Sequence, residues 1–121
     1  MKILVVDSNI VFANKVKEFL IKYMKECEVD IAQNALVMRR RLERKKYNLI
    51  LVDVIATIDS ELMLKELNKT DTPKITWTMV AAGQKIEVVN NFLNSKTFNK
   101  PVNDDEFNTL VGAIGSLQEC T

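Results

Sequence analysis

Four polar residues stand where short apolar runs end: Asp7 after Ile3 to Val6, Asp53 after Leu49 to Val52, Thr78 closing Ile75 to Thr78, and Lys100 just past Thr97-Phe98. The chain contains no histidine, which removes imidazole acid–base catalysis, Ser-His or Cys-His nucleophile pairs and nearly all zinc sites. Chemistry must therefore run on Asp, Lys, Ser and Thr. Two carboxylates held close together repel unless a cation lies between them; a lysine supplies part of that charge and Mg²⁺ the rest. Such a set suits the transfer of an anionic group.

The elements that would position these residues follow from the apolar pattern. Together with Val29 to Ile31, the runs make five short strands alternating with stretches of helical period, the pattern of a parallel βαβ sheet. The first and third runs are continuously apolar, as in strands covered on both faces, and so belong at the centre. In an open parallel sheet, ligands sit beyond the carboxyl ends of the strands where strand order reverses. Asp7, Asp53, Thr78 and Lys100 would converge on that edge.

Between the strands, apolar stripes predict helices. The first carries Phe12, Val16, Phe19, Leu20 and Tyr23, with Asp7 or Ser8 as its N-cap. Ala35, Met38 and Leu42 line the second; Leu62, Met63 and Leu67 mark another, and Ile86, Val89 and Leu93 one more after Gly83. The last has Phe107, Leu110, Val111, Ile114 and Leu117, opened by Asn103 with Glu106 three residues on, a capping-box arrangement. Cys27, Trp77 and Phe98 read as core residues. Arg39, Arg40, Arg41, Arg44, Lys45 and Lys46 form the densest charge run; because successive helical residues lie about 100° apart, it reads as a solvated face and not as a nucleic-acid stripe.

Composition narrows the class. At 121 residues, 47% hydrophobic and 27% charged, with three Gly and two Pro, the chain reads as one compact domain spanning 1–121. Seventeen basic against sixteen acidic residues leave no global field for nucleic acid or an anionic membrane. No apolar stretch is long enough to span a bilayer. The two cysteines, Cys27 and Cys120, have no metal-ligand spacing and suit a reducing, cytoplasmic setting.

KILVVDS at the start, YNLILVD ending at Asp53, TPKITWT ending at Thr78 and NKP containing Lys100 and Pro101 together resemble the receiver domain of two-component response regulators. The resemblance runs over nearly the whole chain. It implies an α/β fold with a five-stranded parallel sheet in the flavodoxin-like, doubly wound order 2-1-3-4-5 and helices on both faces. It also implies that Asp53 is the phosphoacceptor, attacking a phosphohistidine on a partner. Asp7 and the backbone carbonyl of Ile55 would join Asp53 in holding Mg²⁺, Lys100 would pair with the phosphoryl oxygens, and the Thr78 hydroxyl would bond one of them after transfer.

The implied partners are a sensor histidine kinase or phosphotransfer protein and an output protein or attached output domain, with no direct nucleic-acid contact and no membrane. The protein would be a signalling phosphoacceptor and not an enzyme, with at most slow self-dephosphorylation, and a monomer or weak phosphorylation-dependent dimer. Against the family pattern, the second acid after the first strand is Ser8, which stands either as a neutral metal ligand or as a helix cap. Val54 to Ser60 lacks the usual Pro and Gly, Met79 follows the switch hydroxyl, and Thr97 replaces the usual aromatic. The alternative reading is a degenerate receiver acting as a phosphorylation-independent interaction module. A dinucleotide or P-loop enzyme is disfavoured because no glycine follows the first strand, and a haloacid-dehalogenase-type phosphatase because Ile55 stands where it needs a second Asp.

Overall fold

The computed structural model describes residues 1–24, 26–53, 65–70, 72–78, 95–99 and 103–119; for 75–78, 95–99 and 116–119 it describes the backbone alone. The strands are β1 (Lys2–Val6), β2 (Glu28–Ala32), β3 (Leu49–Asp53), β4 (Lys74–Thr78) and β5 (Ser95–Asn99). All pair in parallel, in the order β2-β1-β3-β4-β5. The described helices are α1 (Ile10–Tyr23), α2 (Ala35–Arg44) and α3 (Asp104–Glu119), with a further helical turn over 65–68.

Strand parity divides the core into two layers, because successive strand residues face opposite sides of the sheet. Leu4, Val6, Ile50 and Val52 pack with Ala35 and Met38 of α2, with Tyr47, and with Leu67 of the helical turn. Ile3, Val5, Leu49 and Leu51 pack with Ala13, Val16 and Leu20 of α1 and with Leu110 and Ile114 of α3. Helices thus cover both faces of β1 and β3. That is why these two strands are continuously apolar.

Two details of α1 differ from the sequence reading. Its N-cap is Asn9, whose side chain accepts from the Phe12 amide at 3.1 Å, and neither Asp7 nor Ser8. The β1–β2 ladder runs one residue further than the apolar run, the Asp7 amide donating to the Ala32 carbonyl at 3.0 Å, so the helix starts later. Tyr23 is 53% exposed because it ends the helix, where its ring lies against Phe19 with centroids 4.5 Å apart; Ala13, outside the stripe read from the sequence, is buried with Val16 and Leu20. Cys27 is half-buried at the rim of the α1–α3 layer, and burial pushes its thiol pKa up, keeping it protonated and inert at neutral pH. Leu62, Met63, the Ile86–Val89–Leu93 stripe and Cys120 lie outside the described residues, as do the side chains of Trp77, Phe98 and Leu117.

The α3 cap forms as expected, the Glu106 amide donating to Asn103 Oδ1 at 2.9 Å. At the opposite edge of the sheet, Asp30 of β2 accepts from the Tyr47 hydroxyl at 2.6 Å and from Lys45 Nζ at 3.1 Å; Lys45 also bonds Glu28. Burial alone would raise the Asp30 pKa, but the Tyr47 and Lys45 hydrogen bonds and the nearby Arg41 charge hold it below its ordinary 3.8. A carboxyl depressed on folding contributes stability that is present above pH 3.8 and lost as pH falls through its folded value. Asp30→Asn is therefore expected to flatten the acid limb of the stability profile below about pH 4, measured by urea unfolding at stepped pH. An unchanged acid limb would rule this out.

Candidate functional site

The site begins at the carboxyl end of β1. Asp7 is fully buried, held by its amide in the sheet and by its Oδ1, which accepts from the Asn9 amide at 2.8 Å. This Asx turn carries the chain from the strand into α1, and α1 has no acidic residue in its first turn. The partial positive charge of a helix amino terminus is thus directed at the strand ends, where it favours anions.

On the neighbouring strand, Val52 pairs with Val6, so one further step of register sets Asp53 beside Asp7. Strands lie about 4.8 Å apart in the pairing direction. Parity gives both carboxylates the same face as Val5 and Leu51, the face covered by α1 and α3. Asp53 is 3% exposed. Two buried carboxylates side by side are a costly pair to fold, and they are oxygen donors of the kind that hold hard divalent cations. Ser8 is exposed next to Asp7.

Thr78 ends β4, one residue beyond Trp77, the register partner of Asp53. It pairs in turn with Asn99, the last residue of β5 and the neighbour of Lys100. The backbone therefore brings Asp7, Asp53 and Thr78 to one end of the sheet. Lys100, Ile55 and Met79 lie outside the described residues. Among the described residues no group of three or more His, Cys, Asp or Glu could hold a metal ion. The donor set still fits Mg²⁺, which binds through one or two carboxylates and completes its shell with water and phosphate oxygens.

Sequence reasoning missed Asn9, which pins Asp7 while capping α1; its position two residues after an Asp was the available signal. It also missed Lys74, which is 1% exposed at the start of β4 and whose ammonium donates to the Thr70 and Thr72 carbonyls, each at 2.9 Å. Lys74 stands at the opposite end of its strand from Thr78. Its charge ties down the turn that leads into β4.

No protein-family model and no curated protein matches the chain by sequence. Solved structures do. A two-component response regulator from Clostridium difficile superposes with a TM-score of 0.80 at 25% identity, covering 98% of this chain and 96% of that one. A CheY-like response regulator receiver domain protein from Methanospirillum hungatei gives 0.73 at 26% identity, covering 98% and 94%. The Mn²⁺-bound form of response regulator Rcp1 gives 0.72 at 20%, covering 95% and 91%. Among the described residues no helix is long and apolar enough to cross a membrane.

Proposed function

The chain has the receiver fold of two-component response regulators, and from that premise we propose that it accepts a phosphoryl group on Asp53 and thereby changes a partner-binding surface. The observation that carries this reading is the pairing of two buried carboxylates, Asp7 and Asp53, at adjacent strand ends. A purely structural core gains nothing from two adjacent buried acids, whereas a phosphoryl site needs one as nucleophile and the other as cation holder.

In the proposed reaction an oxygen of Asp53 attacks phosphorus. The P–N bond of a phosphohistidine, or the P–O bond of an acyl phosphate, breaks, and the leaving group takes the electron pair. Catalysis is positioning and charge neutralisation: the buried strand end fixes the nucleophile, and α1 directs its positive end at the reacting anion. When bound by Asp7, Asp53 and the Ile55 carbonyl, Mg²⁺ supplies neutralisation of the transferring oxygens. Thr78 would receive one phosphoryl oxygen through its hydroxyl and Lys100 another through its ammonium. The Mn²⁺-bound form of Rcp1 is a precedent within this fold for a divalent cation. A histidine kinase or phosphotransfer protein would supply the group, and an output protein or domain would read the changed surface.

Incubation with Mg²⁺ and acetyl phosphate, followed by intact-mass measurement, is expected to give one phosphoryl adduct that is absent from Asp53→Asn and from a chelator control. An equal adduct on the variant, or none across a range of Mg²⁺ concentrations, would instead favour the phosphorylation-independent interaction module.

A further inference from the structure

The arginine run of α2 does not spread evenly into solvent. Arg39 turns to Glu43, its Nε 3.3 Å from the carboxylate. Arg40, Arg41 and Arg44 instead line a groove of about 430 Å³ with Val37, Lys45 and Tyr47, between α2 and the outer strand β2. Its remaining lining residue, Asp30, is the one carboxylate there, and it is engaged by Tyr47 and Lys45.

The charges of this groove do not cancel. Lys45 is compensated by Glu28 and Asp30. Arg41 is steadied by its Nε bond to the Ile31 carbonyl at 3.1 Å and lies close enough to Asp30 to stabilise that carboxylate. Among the described residues Arg40 and Arg44 have no ion-pair partner. Four residues apart on one helix face, they repel by a few tenths of a kcal/mol. Favourable interaction with the helix carboxyl end accounts for Arg44 in the last turn but not for Arg40 sharing the same groove.

We propose that this groove binds a small organic phosphate, with the guanidinium groups of Arg40 and Arg44 on the phosphate and the wall of Val37 and Tyr47 against the organic body. Guanidinium forks match phosphate oxygens with paired hydrogen bonds, more specifically than lysine does. The volume lies in the range of small-molecule pockets. The pairing of Arg39 with Glu43 leaves Arg40, Arg41 and Arg44 gathered in the groove, a local cluster, whereas a nucleic acid needs a continuous stripe. The groove opens beside β2, at the far edge of the sheet from β5, and the proposal is independent of phosphorylation at Asp53.

The test uses ADP as probe, titrated into ¹⁵N-labelled protein in EDTA so that a cation at Asp7 and Asp53 cannot contribute. ADP is expected to shift the amides of residues 37–47 and to bind at least about tenfold more tightly than adenosine. It should also bind more tightly than inorganic phosphate. Arg40→Gln combined with Arg44→Gln, both exposed positions, should weaken ADP about tenfold or more while leaving the melting temperature and the Asp53 adduct intact. Absence of shifts at millimolar ADP, or equal binding by the variant, would overturn the proposal. So would inorganic phosphate binding as tightly as ADP, or a hexaglutamate peptide or short oligonucleotide binding more tightly than ADP.

Discussion

Asp7→Asn is expected to make the protein more stable in chelator and nearly blind to Mg²⁺. Asp7 and Asp53 are buried on adjacent strands; like charges at the strand spacing of about 5 Å and an effective dielectric of 20 repel by at most about 3 kcal/mol before neighbouring groups offset part of it. The asparagine oxygen can still accept from the Asn9 amide, but it loses the charge assistance of that 2.8 Å bond. A net gain of about 1–2 kcal/mol remains, seen as a rise in melting temperature of about 4–8 °C. The wild type should recover more than this with Mg²⁺, since a ligand at a hundred times its Kd adds about 2.7 kcal/mol. The variant should recover little. A variant less stable than wild type in EDTA, or one that gains equally from Mg²⁺, would show that repulsion between the two carboxylates does not limit the stability of this strand end.

The parts of the fold that the sequence made legible are those where one physical signal dominates. Ile3 to Val6 and Leu49 to Val52 could be read as central strands because burial on both faces leaves no polar position, and both are almost wholly buried. That Asp7 and Asp53 share one end of the sheet was legible because each directly follows such a run, and both are buried there. Signals shared between elements were harder to read. The cap of α1 fell on Asn9 because β1 extends through the Asp7 amide by a hydrogen bond to β2, and no local preference at Asp7 or Ser8 encodes that bond. Lys74 looks like a surface residue at a strand start, yet the fold buries its stem and satisfies its ammonium with two carbonyls of the preceding turn.

The α2 arginines show the same limit. Read on one helix they fan into solvent, and Arg39, Arg40, Arg41 and Arg44 are indeed exposed. The groove that collects three of them needs β2 and Tyr47, which arrive through the crossover connections. What the fold adds to these sequence neighbours is the wall of β2 with Asp30, which turns a run of exposed arginines into the lining of one groove.

Ser8→Asp should act in the opposite sense to Asp7→Asn on both readouts. Position 8 is exposed, so a new carboxylate there is screened by water and costs about 0.5–1 kcal/mol or less in chelator. Toward Mg²⁺ it adds a third hard oxygen donor beside Asp7 and Asp53. An affinity gain of about tenfold, or 1.4 kcal/mol, is expected. The chain's single tryptophan, Trp77, is the register partner of Asp53, so its fluorescence can follow the titration without any phosphodonor. If affinity and stability in chelator both stay unchanged, position 8 lies outside the ion's shell and the site is built for two carboxylates. If affinity rises, Ser8 is the reason this site binds its cation weakly, and phosphorylation should then require higher Mg²⁺ in the wild type than in Ser8→Asp. Comparing the two variants separates charge from geometry. Both alter the same end of β1, one by removing a buried charge and the other by adding an exposed one, so a cation site predicts opposite signs where general destabilisation of the strand end predicts the same sign.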